Sequence, residues 1–584
     1  MKRFLKYFGV FLLGFFSSIV TLVILIAISV AQFGGEKEPE PLSENSWLTI
    51  NLPSVLNDKS ESDPFGELFA GFAGQEPLGL NQIMNAVENA QNNDKITGIL
   101  LDPGFFASGF GQAEEIRNAL LNFKKSGKPV VAYSENYTEQ GYYIASVCSK
   151  IFLNPKGLIE FNGLSNGVVM YKGMLDKLGV EFQVFKVGKF KGAVEPFIQN
   201  QLSDENKSQI REYINSIHDH AISRISVARG ISIDSLRLIS YNGQMFLSKH
   251  AEKYKFVDQL GYKDEVESWI EKKYKTRNQI SLRKFLKNEA EYTYSENKIA
   301  ILYAEGEIVS GAASQSGSQI ASDDLVKEIR KIRENDQIKA LVLRVNSPGG
   351  SSLASDIISR EIELTKKKMP VIVSFGNVAA SGGYYISCLA DSIFAQPNSI
   401  TGSIGVFALF PNTQKLYKEK FGLTYESINT GENSELWRPD QGISPIQGAK
   451  IQAMVDQIYD DFLSVVSKGR KMSKESVHEI AQGRVYSGLR AKELGLIDGV
   501  GGIDRAIISA SKKAKLKDYK IMVYPEPKNP FEALLGDEFS DAFANQQLKL
   551  AEELGINSSV IKELQSIKSM QGYQMRLPWS MDIR

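Results

Sequence analysis

The segment GNVAASGGYYISC, residues 376–388, has a counterpart earlier in the chain, SENYTEQGYYIAS, residues 134–146. The shared GYYI begins at Gly141 and at Gly383, an offset of 242 (383 minus 141). Self-similarity at a fixed spacing indicates a structural unit that occurs more than once in the chain.

Two further matches keep nearly the same spacing. ITGILLDP from Ile96 aligns with IKALVLRV from Ile338, again 242 residues apart, and LGVEFQVFKVG from Leu178 resembles FGLTYESINTG from Phe421, 243 residues apart. Three matches in one register over such a distance predict a tandem duplication of one domain.

Each copy has the pattern of an α/β domain. In the second copy the sequence predicts strands at Ile338–Val345, Val371–Phe375 and Ser392–Ala395, and helices at Ala354–Lys367 and Ala379–Leu389. Strands that alternate with helices at this spacing indicate a parallel sheet covered by helices. Long amphipathic helices are predicted after each core, at 203–228 and 445–467, and we interpret them as packing or assembly surfaces.

The N-terminus predicts one transmembrane helix. Three basic residues, the last of them Lys6, precede an uncharged stretch from residue 7 to residue 35, which is long enough to cross a bilayer. Positive charge before the span places residues 1–6 in the cytoplasm and makes residues 7–33 the anchor. The alternative is a long cleaved signal peptide, since Ser29-Val30-Ala31 resembles a cleavage site.

Composition and the repeat divide the rest of the chain. Residues 34–62 are interpreted as a polar linker together with a first edge strand. The strand candidate within this segment is Trp47–Leu52. Residues 63–295 form the first copy and residues 296–525 the second. Residues 526–584 form a C-terminal extension to which we assign no chemistry.

Composition argues against several classes of protein. Lys plus Arg and Asp plus Glu both number 68, so the formal net charge is zero and nothing favours nucleic acid. The two cysteines, Cys148 and Cys388, make neither a disulfide framework nor a metal-ligand spacing. The chain contains no H-E-x-x-H or H-x-x-E-H motif, and we expect neither a metal nor a cofactor.

Ser381 is the first candidate catalytic residue. It lies in Ala379-Ala380-Ser381-Gly382-Gly383, where small neighbours at a strand-to-helix turn would leave the hydroxyl exposed. The N–H of Gly382 would then point near the helix N-terminus as an oxyanion donor. Taken alone, the segment favours tight helix packing over a catalytic role.

A second glycine-rich turn changes that balance. Asn346-Ser347-Pro348-Gly349-Gly350 closes the preceding strand, and such a turn lets bare backbone N–H groups approach a ligand. This is the expected place for a second oxyanion donor. The two turns end consecutive strands some 30 residues apart, and that combination favours a catalytic site over an ordinary turn.

Together these motifs resemble the signal peptide peptidase A family, also called protease IV, in its long form. The resemblance rests on SPGG, AASGGYY and TGSIGVF from Thr401 in the second copy, and on KFKGAVEPF, Lys189–Phe197, in the first. It runs from the N-terminal anchor to the terminal RLPWS, essentially the whole chain. It implies that both copies have a ClpP/crotonase-like β/α spiral fold.

The resemblance also implies roles for individual residues. Ser381 would be the nucleophile of a Ser-Lys dyad, Lys191 its general base and acid, and Ser403 the residue that orients the lysine. The N–H groups of Gly350 and Gly382 would form the oxyanion hole. Each of these positions matches the family motif.

Spacing alone does not identify the lysine. Lys186 and Lys189 are nearby, and alternation along a strand would put Lys189 and Lys191 on one face; the family motif favours Lys191. A free lysine has a pKa near about 10.4 and must be buried to act as a base. Its neighbours, such as Phe190 and Val194, are consistent with a dry pocket.

The repeat gives a separate indication of a composite site. At an offset of 242, Ser381 falls on Glu139 in copy one, and at 243, Lys191 falls on Ser434 in copy two. Copy one therefore lacks the nucleophile and copy two lacks the base, which predicts one active site per chain.

The resemblance implies a serine endopeptidase of a bacterial inner membrane, with its catalytic part on the periplasmic side. Its partners would be remnant signal peptides and other hydrophobic peptides, and it would assemble as a homotetramer. We expect an apolar cleft lined by residues such as Phe375, Tyr384 and Phe407 to bind the substrates. The sequence does not fix the cleavage-site preference.

Two other functions compete with this one. A crotonase-like acyl-CoA enzyme would share the fold and the oxyanion hole, but would not need Ser381 or Lys191 and would leave the anchor unexplained. A non-enzymatic membrane scaffold would be expected to have lost one residue of the dyad, yet both are present.

Overall fold

The computed structural model describes residues 14, 17–18, 42–60, 78–245, 247–288, 295–313, 319–431, 433–435, 438, 440–526 and 572–577. The predicted anchor, residues 7–33, lies outside these ranges except for Gly14, Ser17 and Ser18. Within the described ranges, no helix combines the length and the apolar character that crossing a bilayer requires. Most of the C-terminal extension also lies outside them.

The first half of the chain alternates strands and helices. Its strands are β1 Ser46–Asn51, β2 Ile96–Asp102, β3 Val130–Ser134, β4 Lys150–Leu153, β5 Glu181–Val187, β6 Gln259–Leu260 and β7 Gln279–Ser281. Its helices are α1 Leu80–Asn92, α2 Phe110–Lys124, α3 Glu139–Ala145, α4 Lys172–Leu178, α5 Glu195–Ile198, α6 Asp204–Arg229, α7 Ile233–Tyr241, α8 Ser248–Lys253, α9 Lys263–Tyr274 and α10 Leu282–Asn288.

The second half follows the same plan. Its strands are β8 Lys298–Glu305, β9 Glu307–Val309, β10 Gln319–Ala321, β11 Ile338–Ser347, β12 Gly349–Ser351, β13 Val371–Ala380, β14 Ser392–Ala395, β15 Ile400–Gly402, β16 Val406–Asn412, β17 Val485–Ser487, β18 Gly499–Val500, β19 Lys520–Tyr524 and β20 Gly572–Arg576. Its helices are α11 Ser322–Glu334, α12 Ser352–Lys366, α13 Gly382–Tyr385, α14 Pro445–Arg470, α15 Lys474–Ile480, α16 Gly488–Glu493 and α17 Ile503–Lys513.

Each half builds its own largely parallel sheet. The first runs β6-β4-β3-β2-β1-β7 with every pairing parallel. The second runs β17-β15-β13-β11-β8-β19, and among these pairings only β15 with β17 is antiparallel. Helices cover both sheets, as strands with apolar residues on both faces require. The predicted α/β architecture is confirmed.

Matching polar contacts show that the two halves repeat one fold. In the first, Arg229 pairs with Asp258 at 2.9 Å, and Asp258 accepts the backbone N–H of Ile151. In the second, Arg470 pairs with Asp498 at 2.8 Å, and Asp498 accepts the N–H of Ile393. These buried or half-buried arrangements recur 240 to 242 positions apart (498 minus 258, 393 minus 151).

A third sheet joins the halves. It runs β10-β9-β12-β20-β16-β5, so that β5 of the first half pairs antiparallel with β16 of the second over seven residue pairs, from Val187–Val406 to Glu181–Asn412. The sheet therefore carries the segment after β5 into the second half. No local sequence pattern predicts this pairing, since the two strands lie more than 200 residues apart.

The end of β13 differs from its prediction. Val371–Ala380 forms one continuous strand, whereas the sequence predicted a strand to Phe375 and a helix from Ala379. The helix is instead the four-residue Gly382–Tyr385. The strand continues because Val378 to Ala380 pair with β15, a tertiary contact that overrides the helical preference of the small residues.

A buried ion cluster holds the halves together. Arg344 on β11 bonds both carboxylate oxygens of Asp58, at 2.7 and 3.1 Å, and lies 2.6 Å from Glu115 on α2. All three side chains are at most 2% exposed. Asp58 and Glu115 belong to the first half, so the guanidinium contacts two carboxyl groups across the boundary. Its single positive charge cannot balance both, and burial raises the pKa of Glu115 to about 7.

We expect Arg344→Met to destabilise the protein strongly, because it leaves Asp58 and Glu115 buried without a counter-charge. Breaking such a pair costs roughly 3–5 kcal/mol of unfolding free energy, which a urea denaturation midpoint measures. The matched control is Arg237→Met, whose exposed pair with Asp219 should contribute little. Equal midpoints for Arg344→Met and wild type would contradict the structural role of this cluster.

Candidate active site

Ser381 lies at the sharp turn between β13 and α13. Its backbone has φ 54° and ψ −112°, an unfavourable conformation for a residue with a Cβ. Its N–H donates to Gly402 O at 2.8 Å, which fixes the turn against β15. Strain of this kind is found where a fold holds a side chain in one required direction.

Lys191 reaches the same place from the first half. It follows β5 and precedes a short 3₁₀ turn, Gly192–Val194. Because β5 pairs with β16, which begins three residues after Ser403, the strand pairing brings the lysine beside the turn that contains this serine. Lys191 is 0% exposed.

The three predicted polar side chains meet. Nζ of Lys191 lies 2.8 Å from Oγ of Ser381, 3.0 Å from Oγ of Ser403 and 3.1 Å from the Ser403 carbonyl oxygen. The carbonyl can only accept, so one amine N–H donates to it. A neutral amine has a second N–H for the Ser403 hydroxyl and a lone pair that can accept the Ser381 O–H.

Burial sets the charge of this lysine. It holds the pKa of the Lys191 amine well below its ordinary value, because a charged ammonium loses its hydration there. Among the described residues, no carboxylate forms an ion pair with it. The lowered pKa favours the neutral amine, which is the form that can take a proton as a general base must.

Glycines make room for the lysine side chain. A Cβ on Gly483, whose φ is +79°, would lie 2.7 Å from Cβ and the backbone nitrogen of Lys191. A Cβ on Gly405 would lie 3.3 Å from Cδ of Lys191 and 3.0 Å from Gly483. Sequence reasoning missed Gly483, and its place after a short helix gave no signal of this contact.

A polar network fixes the loop that carries Lys191. The buried Glu195 carboxylate accepts the Ser203 N–H and hydroxyl at 3.0 and 2.7 Å, and the Asn206 amide at 2.6 Å. Gln209 Nε2 donates to Phe190 O at 2.9 Å, and its Oε1 accepts the Val485 N–H. These residues were also missed, although the GAVEPF motif contains Glu195.

The glycine turns pack backbone against backbone. A Cβ on Gly349, whose φ is +99°, would lie 2.7 Å from the nitrogen of Gly382, and one on Gly350 would lie 2.0 Å from Ile308 O. Only glycine fits at these two positions. The Gly349–Gly350 strand and the start of α13 thus border one small space beside Ser381, where backbone N–H groups can bind an oxyanion.

The other residues that could have served as the catalytic base lie away from Ser381. Lys189 is exposed, with its Nζ 5.1 Å from the centre of the Phe190 ring. The histidines bond other partners: His218 contacts Ser240, His220 contacts Glu114, His250 contacts Gln244 O and His478 contacts Tyr459. Among the described residues, none hydrogen-bonds Ser381.

The predicted lining of an apolar cleft is wrong. Phe375, Tyr384 and Phe407 are each 0% exposed and belong to the hydrophobic cores. The Tyr384 hydroxyl donates to Leu496 O at 2.8 Å, which anchors the ring inside the second half. These side chains are core residues and are not accessible to a ligand.

Comparison with known proteins gives one consistent family. The model of Peptidase family S49 matches twice, at residues 122–277 and 363–517. The chain is 32% identical to Protease 4 of Haemophilus influenzae over 93% of this chain and 91% of that protein, and 32% identical to the chloroplastic serine protease SPPA of Arabidopsis thaliana over 84% and 73%.

Among solved structures, a mutant of ClpP1 from Listeria monocytogenes matches 35% of this chain and 94% of its own, at 16% identity. Its TM-score of 0.24 is too low to establish a shared fold.

We expect Lys191→Met to raise stability at pH 7. The unfolded lysine has a pKa near about 10.4 and binds a proton that the folded, buried amine releases at a lower pH. Burial of Lys191 therefore lowers the free energy of unfolding at every pH below the pKa of the unfolded lysine. The loss is complete below the pKa of the folded amine and diminishes as the pH rises from there towards about 10.4. Methionine, of similar length and uncharged, removes this cost.

Urea denaturation of both proteins between pH 6 and 10 measures the effect, and the gap should narrow as the pH rises. Lys189→Met is the control, because that side chain is exposed. A Lys191→Met variant no more stable than wild type at pH 7 would be incompatible with a desolvated amine.

Proposed function

The chain belongs to peptidase family S49 and is a serine peptidase, and from this premise we propose that it degrades cleaved signal peptides through a Ser381–Lys191 dyad. The observation that carries the proposal is the 2.8 Å contact between a buried lysine amine and a serine hydroxyl. We also propose that each half is of the ClpP/crotonase type, as its parallel sheet and helical cover suggest.

The first step is acylation. The Ser381 oxygen attacks the scissile carbonyl carbon while the neutral Lys191 amine takes the hydroxyl proton. The carbonyl oxygen becomes an oxyanion that the N–H groups of Gly350 and Gly382 stabilise. When the C–N bond breaks, the Lys191 ammonium returns the proton to the leaving amine.

Deacylation repeats the same chemistry with water. Lys191, again neutral, takes a proton from a water molecule whose oxygen attacks the acyl carbon, and then returns a proton to the Ser381 oxygen as the product acid leaves. Ser403 keeps the amine in place by two contacts, one to its hydroxyl and one to its carbonyl. It thus acts as a positioning residue.

The proposed position of the active site, beside a membrane, supports this substrate class. An anchor at residues 7–33 would hold the catalytic halves against the periplasmic face of a bacterial inner membrane, where released signal peptides remain. Peptides of this kind are rich in aliphatic residues. No metal or cofactor enters the mechanism, because the dyad supplies both proton transfers.

We expect Ser381→Ala to lower kcat for a fluorogenic peptide by more than about 10³-fold, because no covalent route remains. Lys191→Met should lower it by about 10²–10⁴-fold, the usual contribution of a general base. A fluorophosphonate probe followed by mass spectrometry should label Ser381 in the wild type only.

Lys189→Met, two residues from the proposed base, is the matched control and should keep wild-type kcat. Normal peptide cleavage by the Ser381→Ala protein would exclude the dyad mechanism. Binding of acyl-CoA by an inactive protein would favour the crotonase-like alternative.

We propose that the chain forms a homotetramer through its long helices α6 and α14. Removal of residues 1–41 should transfer the protein from the membrane fraction to the soluble fraction, because the proposed anchor is gone. The truncated protein should sediment at about four times the monomer mass. A membrane-bound truncated protein would refute the anchor, and a sedimenting monomer would refute the tetramer.

A further inference from the structure

The turn between α15 and β17, residues 481–484, forms part of the wall around Lys191. A Cβ on Gly483 would lie 2.7 Å from both the backbone nitrogen and the Cβ of Lys191. Gly483 is buried, whereas Gln482 beside it is partly exposed. One layer of main chain therefore separates this part of the lysine from solvent.

Main-chain hydrogen bonds join this turn to the segments that carry the lysine and its positioning serine. Gln482 O accepts the N–H of Phe190, the residue before the lysine, at 3.0 Å. Arg484 O accepts the Ser403 N–H at 2.6 Å. A displaced turn would therefore displace Lys191 and Ser403 as well.

The turn contains a strained residue. Gln482 has φ 55°, in the left-handed region that residues with a Cβ seldom adopt. Such a conformation persists only where the surrounding structure holds the residue in place. The turn therefore depends on contacts with the elements around it.

Tyr459 on α14 supplies one of these contacts. The Gln482 N–H donates to the Tyr459 hydroxyl at 3.3 Å, and this oxygen lies 3.0 Å from Nδ1 of His478 on α15. The tyrosine is 6% exposed, and burial raises the pKa of Tyr459, so the hydroxyl keeps its proton. It can therefore accept the Gln482 N–H while it donates its own proton to a neutral imidazole.

The repeat places a polar side chain at the equivalent point of the first half. Helices α6 and α14 each have 26 residues and begin 241 positions apart (445 minus 204), so His218 lies where α14 has Tyr459. Nε2 of His218 lies 3.9 Å from a carboxylate oxygen of Glu139, which occupies the position of Ser381. This position on the helix thus faces the region of the site in both halves.

We propose that Tyr459 is a positioning residue of the dyad, which through Gln482 holds the turn that keeps water from the Lys191 amine. The inference rests on the proposed peptidase function, since it concerns the base of that reaction. Without the hydroxyl, the Gln482 N–H loses its acceptor and the strained turn opens. Water then stabilises the ammonium form, which raises the pKa of Lys191 and leaves less of the neutral base.

The first test is the pH dependence of kcat/KM for Tyr459→Phe, which removes the hydroxyl and keeps the ring. This quantity reports the pKa values of groups in the free enzyme. With a peptide that has no titrating side chain, the acid limb of the variant should lie about one pH unit above that of wild type, which is about a tenfold loss at acid pH. Above both limbs, the variant should regain the wild-type value.

Tyr142→Phe is the matched control, because it removes a buried hydroxyl that donates to Phe256 O at 2.9 Å in the core of the first half. It should leave the acid limb in place. His478 is the titratable partner of Tyr459, and His478→Leu, which keeps the Gln482 bond, should leave the limb in place as well. A limb that is absent from His478→Leu would belong to the imidazole. That result, an unmoved limb in Tyr459→Phe or an equal loss at every pH would overturn the inference.

A second measurement does not depend on cleavage. Lys191→Met should stabilise the wild type at pH 7, and it should stabilise Tyr459→Phe less, because water already reaches the amine there. Urea denaturation of the two single variants, the double variant and wild type measures this difference as a double-mutant cycle. If no form cleaves peptides and the stabilisation still differs, the proposed function fails and the role of Tyr459 in holding the turn remains. Equal stabilisation in both backgrounds would refute that role.

Discussion

The whole site depends on keeping one amine uncharged. Lys191 is buried without an ion-pair partner among the described residues, and this desolvation alone lowers its pKa. A water channel or a nearby carboxylate would restore the charge and remove the base. The backbone of Gly405 and Gly483 packs closely against the Lys191 side chain. The carboxylate of Glu195 is bound by Ser203 and Asn206 instead of by the lysine amine.

This requirement explains why the two halves are joined so firmly. The amine comes from the segment after β5 and the hydroxyl from the end of β13, so any movement of one half against the other would separate Nζ from Oγ or admit water. The β5–β16 pairing and the Arg344 cluster oppose that movement from two sides. Burying charged groups at an interface costs desolvation free energy. Their attraction offsets this cost only when the groups keep one well-defined geometry.

Much of this could be predicted from the sequence, and the failures have physical causes. The repeat, the α/β class and the residues Ser381, Lys191 and Ser403 follow from local patterns and family motifs. The continuation of β13 to Ala380, the supporting role of Gln209 and the position of β20 do not, because each depends on contacts between distant segments. Phe375 and Tyr384 were assigned to a cleft because hydrophobicity does not distinguish a core side chain from a binding surface.

The duplicated fold also explains why one chain has one such site. In the first half, the position of Ser381 is taken by Glu139, whose buried carboxyl accepts the N–H of Gly163 at 3.2 Å and has its pKa raised to about 7 by burial. In the second half, the position of Lys191 is taken by Ser434, exposed in a turn. Glu139 thus accepts a hydrogen bond from a distant loop, and Ser434 carries no amine that could act as Lys191 does. Each half has therefore kept the one group that the other lost, so neither half alone could catalyse the reaction.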